Sequence, residues 1–363
     1  MKTNMTFKAL LFAGALILAA GCGKDIFSQK FSRNPGEEVV FGVNATSEVG
    51  TRTEYRNVTT YPTQSGKKIQ PIDWIQGDML RIYSPDCARA SWAQPQHWAD
   101  YKIKSVDNTA TNGVSKGTLE NVGEVGLAWE DNGNHTFYAI FPSPGTDEAN
   151  EPNGTQGKFS FTIPAAQTEA AQMQYAFMTA AASADGGVNG DAVNLDFYPA
   201  FTAFTLDITA EEPTIFQNFE MVSTTDNLAG ACTVTYSGLT PAYACSSNTK
   251  KITVDLQNKE VAENGNFKMI IFAAPTDLKN LTIRFTVSTP NSTNPARTNA
   301  LELKYSDTHS DASLRGKTVT FAGTKMHVLK GLVTPRSTKI IEVNSQIVDW
   351  VSKGEATIDV IPQ

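Results

Sequence analysis

From Glu38 onward the residues alternate in character: Val39, Phe41, Val43 and Ala45 fall on one face, Val40, Gly42, Asn44 and Thr46 on the other. A period of two belongs to a β-strand with one buried face, and it recurs. Val193, Leu195 and Phe197 alternate, as do Phe204, Leu206 and Ile208, then Ile252, Val254 and Leu256, then Leu281, Ile283, Phe285 and Val287. Val319 and Phe321 give a further candidate. Met79–Tyr83, Phe137–Phe141 and Phe159–Ile163 are short strands that stop near Pro85, Pro142 and Pro164, because proline cannot donate to a ladder. One helical candidate, the Ala/Gln/Met-rich Glu169–Ala182, interrupts them. Strands separated by turn signals with so little helix predict a mostly β protein built of antiparallel β-sandwiches.

The first twenty residues are of another kind. Lys2 and Lys8 precede an apolar run, Ala9–Ala20, whose twelve residues fall short of the roughly 20 needed to cross a bilayer. This is a signal peptide. It ends Leu18-Ala19-Ala20-Gly21-Cys22, which looks like a lipobox: cleavage before Cys22 followed by lipidation, giving a palmitate-bearing lipoprotein. Acyl chains on Cys22 would anchor the chain, each buried methylene contributing about 0.8 kcal/mol. Residues 1–21 are then the signal and 22–36 a tether without periodicity. The 342 residues from Cys22 to Gln363 exceed what one core usually serves, so two domains are expected. The Gly-rich Ser183–Asp191 places the boundary, giving 37–187 and 188–363. The net charge of −7, from 30 Lys+Arg against 37 Asp+Glu, argues against a nucleic-acid partner.

Cys232 and Cys245 flank Thr233–Ala244, with Ser237-Gly238-Leu239-Thr240 at the centre. If that is a hairpin, the two face each other, and an extracytoplasmic compartment permits a disulfide. Cys87 is left as a small buried apolar residue. Gly113-Val114-Ser115-Lys116-Gly117 spells a nucleophile elbow, but no helical period follows it, and no enzyme is expected. His97, His135, His309 and His327 are scattered without zinc-ligand spacing. Asp185, Asn189 and Asp191 offer oxygens to calcium, though their glycine-rich surroundings read as a linker; no metal or cofactor is expected. Trp92, Trp98 and Tyr101 either cap the first core or, if exposed, stack on sugars. Trp74 and Trp350 read as core.

The two ends of the chain carry complementary features. The first strand runs through a polar turn, Ser47–Thr51, to Arg52, and a strand that ends in an exposed arginine can be cut away. Ala356, Ile358 and Val360 alternate with Thr357, Asp359 and Ile361 near the C-terminus, in the same period. Losing Val39–Ala45 would bare an apolar slot between two unpaired strand edges. A strand from another copy could restore the ladder and fill the pockets. Such a head-to-tail contact does not close, so it makes filaments.

An ordered set of motifs is similar to the fimbrillin family, lipoprotein precursors of type V pili. It comprises Cys22; Thr51-Arg52; Trp74-x-x-Gly77-Asp78-x-Leu80-x-Ile82-Tyr83; Tyr138-Ala139-Ile140-Phe141-Pro142; Phe161-Thr162-Ile163-Pro164-Ala165-Ala166-Gln167-Thr168; Asn194-Leu195-Asp196-Phe197; and Val348-Asp349-Trp350. The resemblance implies two transthyretin-like β-sandwich domains. It also implies cutting by an arginine-specific surface protease between Arg52 and Thr53, and donor-strand exchange in which Ala356, Ile358 and Val360 of one subunit replace Val39, Phe41, Val43 and Ala45 of the next. The expected product is a structural subunit of a cell-surface fimbrium with a role in adhesion, reached through an outer-membrane lipoprotein precursor. Its partners would be other copies or other fimbrial subunits and a host or glycan ligand. The alternatives are a fimbrial anchor or tip protein that does not polymerise, and a surface glycan-binding lipoprotein.

Overall fold

A computed structural model describes residues 36–45, 59–60, 68–69, 74–89, 96–107, 115–123, 125–131, 133–144, 157–168, 175–186, 192–246, 249–305, 307, 311–336, 338–345 and 356–358. The strands are β1 (Phe41–Ala45), β2 (Thr59–Thr60), β3 (Lys68–Ile69), β4 (Met79–Tyr83), β5 (Cys87–Arg89), β6 (Trp98–Asp107), β7 (Ser115–Asn121) and β8 (Leu127–Trp129). They continue with β9 (Asn134–Phe141), β10 (Lys158–Ile163), β11 (Ala166–Thr168), β12 (Met178–Asp185), β13 (Val193–Pro199), β14 (Thr202–Ala210), β15 (Thr214–Ser223) and β16 (Gly230–Ser237). The last are β17 (Thr240–Cys245), β18 (Lys251–Val261), β19 (Asn266–Ala273), β20 (Leu281–Ser288), β21 (Arg297–Glu302), β22 (Met326–Val333), β23 (Thr338–Ser345) and β24 (Ala356–Ile358). The described residues are thus mostly β, as the recurring alternation requires.

One sheet closes on itself in the order β1-β13-β12-β9-β4-β6-β7. Its core is aromatic, because the inward positions of its strands carry Phe41, Tyr101, Phe137, Phe141 and Phe197, and Trp74 joins them from the segment before β4. Trp74 sits with its ring edge-on to Phe141 at 5.1 Å and to Phe197 at 5.4 Å. The turn after it brings the chain into β4: Gly77 takes φ +94°, which favours glycine. The Asp78 carboxylate accepts from the Ile75 N–H at 3.2 Å. This turn accounts for the Trp-x-x-Gly-Asp spacing.

Two further five-stranded sheets, β11-β18-β15-β20-β21 and β19-β14-β22-β23-β24, pack face to face through pairs such as Phe216 on Phe267, 4.7 Å apart. A three-stranded sheet, β10-β16-β17, packs on the closed sheet. Tyr236 of β16 packs on Tyr138 of β9 at 5.0 Å, and the Thr179 and Tyr243 hydroxyls stand 3.3 Å apart. Cys232 and Cys245 are directly opposite in the β16–β17 ladder and joined by a disulfide, with Cα atoms 4.0 Å apart. Most ladders are antiparallel; β1–β13, β11–β18 and β14–β22 are parallel.

Two expectations change in detail. Met178–Ala182, read as the end of a helix, is extended chain in β12, which pairs with β9 from Met178↔Phe141 to Asp185↔Asn134; residues 169–174 lie outside the described set. Alanine's helical preference amounts to a few tenths of a kcal/mol per residue over most others, and a full ladder with Met178 and Ala180 in the core outweighs it. Val319 and Phe321 are buried, but the segment pairs only in isolated bridges, Leu278↔Phe321 and Lys304↔Thr318. The position 187/188 falls between β12 and β13, and both strands belong to the closed sheet.

Candidate functional site

The first strand is the stave that closes the barrel. On one side β1 pairs antiparallel with β7, from Gly42↔Thr118 to Ala45↔Ser115. On the other it pairs parallel with β13, from Phe41↔Val193 to Ala45↔Phe197. Val39, Phe41 and Val43 are buried, whereas Val40 is 56% exposed; Gly42, expected on the outer face, is buried as well. Phe41 sits with its ring edge-on to Tyr101 at 5.1 Å and to Phe137 at 5.2 Å.

The residues before β1 are tied down as well. Gly36 and Val39 donate their N–H groups to the carbonyls of Trp129 and Leu127, each at 2.8 Å, and the Trp129 N–H returns one to Glu37 at 3.0 Å. Asn121 Nδ2 donates to the Glu38 carboxylate at 2.6 Å, and Val193 donates its N–H to the Val40 carbonyl at 2.8 Å. Burying Val39, Phe41 and Val43 contributes about 1.5–3 kcal/mol each. Their sum, about 5–9 kcal/mol, rivals the roughly 5–15 kcal/mol by which a whole domain is stable. Removing this strand would therefore cost the closed sheet much of its stability.

Gly117 shows why the elbow-like motif is there. A Cβ at this position would stand 3.0 Å from both Val43 Cγ2 and the Ser105 carbonyl, so glycine lets β1 and β6 flank β7 closely. Ser115 lies in the β7 ladder opposite Ala45, in extended chain rather than at a strand-to-helix turn. Asn194, opposite Gly42, fills the space a side chain on β1 would need: a Cβ on Gly42 would lie 2.8 Å from Asn194 Oδ1. Sequence reasoning missed both partners of β1. A glycine in a strand interior was the available signal for β7; nothing local pointed to a parallel partner some 150 residues away.

At the other end of the chain, β24 pairs antiparallel with β23 at Val343↔Ile358, Asn344↔Thr357 and Ser345↔Ala356, and it forms the edge of its sheet. Of the remaining expectations, Cys22, Arg52, Thr53, Trp92, Asn189, Asp191, His309, Trp350 and Val360 lie outside the described residues. Tyr101 is buried and its hydroxyl accepts the Leu127 N–H at 2.8 Å. Trp98 is half-buried, with the Arg81 guanidinium 3.8 Å over its ring. Arg81 is itself 1% exposed and held by Asp100 through Nε–Oδ1 at 2.9 Å and Nη2–Oδ2 at 3.0 Å. Tyr101 thus serves the core and Trp98 its rim. Burial pushes the Cys87 thiol up to about 12, which keeps it protonated. Among the described residues no group of three or more His, Cys, Asp or Glu is placed to hold a metal.

A family model described as fimbrillin-like matches residues 51–350. No curated protein matches the chain. Solved structures that resemble it include two candidate cell adhesion proteins. The one from Bacteroides uniformis is 13% identical, with 83% of this chain and 94% of that one covered and a TM-score of 0.47. The one from Bacteroides ovatus is 14% identical, with 90% and 99% covered and a TM-score of 0.46. A third is the tip fimbrial protein Mfa3 from Porphyromonas gingivalis with a C-terminal truncation, at 10% identity, 88% and 99% coverage and a TM-score of 0.43.

Proposed function

The chain belongs to the fimbrillin-like family, a family of cell-surface fimbrial proteins, and on that premise we propose that it is a fimbrial subunit that polymerises by donor-strand exchange. The precursor is exported as a lipoprotein on Cys22, and β1 completes the first barrel during transit. An arginine-specific protease cuts between Arg52 and Thr53, β1 leaves, and Ala356–Gln363 of a second subunit takes its place. The observation that carries this reading is the position of β1: a short strand, buried on one face, set between β7 and β13 close to Arg52 in the chain.

The same geometry explains why assembly waits for cutting. Before it, β1 is held within its own chain, so it competes for the slot at an effective concentration that a strand from another molecule does not match. The product is a head-to-tail filament rather than a closed ring, because slot and donor are different surfaces.

Deleting Ala356–Gln363 tests the donor. The expected outcome is a folded monomer that no longer forms filaments after cutting, seen by circular dichroism and electron microscopy. Filaments of normal length from the deleted chain would assign the donor to another segment.

A further inference from the structure

The entry to β1 is marked by a carboxylate. Asn121 Nδ2 donates to the Glu38 carboxylate at 2.6 Å. The same carboxylate lies over Gly126, where a Cβ would collide with Glu38 Oε1. Glu38 stands opposite Ala128, and the backbone is bonded on either side of it. The Val39 N–H donates to the Leu127 carbonyl at 2.8 Å, and the Trp129 N–H donates to the Glu37 carbonyl at 3.0 Å. Asn121, at the end of β7, and Gly126, just before β8, thus form a seat for one carboxylate, one residue ahead of the buried Val39.

The C-terminal sequence repeats that arrangement. Glu38-Val39-Val40-Phe41-Gly42-Val43-Asn44-Ala45 and Glu355-Ala356-Thr357-Ile358-Asp359-Val360-Ile361-Pro362 each set a glutamate one residue ahead of apolar residues at alternate positions. Laid over β1 in the same direction, Ala356, Ile358 and Val360 fall on the buried Val39, Phe41 and Val43, and Glu355 falls on Glu38. Pro362, which cannot donate to a ladder, falls on Ala45, where β1 stops. Asp359 falls on Gly42, and the exposed Asn194 side chain beside it can turn away from the added Cβ. A slip of one residue would turn the apolar set outward. A slip of two takes Glu355 off Asn121, and reversal about Ile358 brings Ile361 there instead.

We infer that Glu355 of a second copy of this chain takes the place of Glu38 on Asn121, and that this contact sets the direction and register of the donor strand: antiparallel to β7 and parallel to β13, as β1 is. This rests on the strand-exchange reading above. The same direction lets the Ala356 N–H donate to the Leu127 carbonyl and the Gly354 carbonyl accept from Trp129, as Val39 and Glu37 do now. The apolar face supplies the affinity, and the carboxylate selects one register among those that the period of two allows. β24 is placed to supply the segment, because it is the edge of its sheet and pairs with β23 only from Val343↔Ile358 to Ser345↔Ala356 among the described residues.

Synthetic peptides spanning Ser352–Gln363, added to the full chain cut at Arg52 and followed by fluorescence anisotropy, test the contact. A peptide carrying Glu355→Gln should bind about threefold or more weakly than the native one, because a charged acceptor makes the stronger hydrogen bond. On an Asn121→Asp chain the order should reverse, since the aspartate repels Glu355 and accepts from the glutamine amide. Equal binding of the two peptides to both chains would overturn the inference.

Disulfide capture reads the register separately, and it decides the matter should Asn121→Asp not fold. Asn44 stands opposite Lys116, an exposed residue, in the β1–β7 ladder. A peptide carrying Ile361→Cys should therefore be captured by a cut chain carrying Lys116→Cys, whereas a reversed strand would give capture of Glu355→Cys. Capture of the Glu355→Cys peptide, or of neither, overturns the register. A native peptide that does not bind the cut chain overturns the strand-exchange reading itself. One that binds without the Glu355 preference leaves that reading standing and removes only this inference.

Discussion

Phe41 is buried with its ring edge-on to Tyr101 and Phe137. Phe41→Ala should therefore cost about 3–5 kcal/mol, as for other buried phenylalanines truncated in a closed core, measured by urea unfolding. His327 offers a pH dependence of known sign. It lies between Phe204 and Phe321, its Nε2–H donates to the Ala322 carbonyl at 3.1 Å, and its Nδ1 has no partner among the described residues. Burial drives the imidazole down to about 4, so the folded chain keeps it neutral. The unfolded chain takes up a proton near 6.5 and the folded chain only near 4. Its contribution to stability is thus complete above pH 6.5 and is lost as the pH falls through that window, by roughly 3 kcal/mol in all. A His327→Phe variant should lose that slope between pH 6.5 and 4; an unchanged slope would place the titration elsewhere. Neither role could be read from the sequence with the same ease. Phe41 stood out because its neighbours alternate, while His327 sits among apolar residues without a period that says which neighbour faces it.

The strands that were legible were those whose two faces differ. β13, β14, β18 and β20 were found from alternation, because one face of each meets the core and the other is more exposed, whereas β4, buried from Leu80 to Tyr83, was bounded by the turn at Ser84-Pro85-Asp86. β12 was missed because alanine is small enough to sit on either face, so its burial leaves no period, and composition alone then points to helix. Gln167 shows a different gap. It is buried in β11, and its side-chain amide pairs with the backbone of Phe272, donating to the carbonyl at 2.6 Å and accepting the N–H at 3.1 Å. A side chain here does the work of a strand partner, stitching β11 to β19 of the facing sheet. Gln167→Ala should cost about 1–3 kcal/mol by leaving that N–H and carbonyl buried without partners, again by chemical denaturation. The β16–β17 disulfide was readable as a facing pair once a hairpin was assumed. Cys232→Ala with Cys245→Ala should cost about 3 kcal/mol, the loop-closure value for a ring of this size, visible as a lower thermal midpoint without reducing agent.

At the scale of the molecule, the ends are what the sequence shows most clearly and what the fold explains best. Alternation at Val39–Ala45 and at Ala356–Val360 is the feature the two ends share, and the first of these segments lies in the closed sheet between β7 and β13. The pairing of β13 with β1 was not legible, because a parallel ladder between segments so far apart is set by the whole topology and leaves no local mark. The proposed assembly turns on one step, the departure of β1 after cutting at Arg52. The most direct test is the N-terminal mass of the protein recovered from surface filaments. A chain that begins at Thr53 and carries no lipid is the predicted result. A filament-borne chain that still begins at lipidated Cys22, with β1 attached, would contradict it.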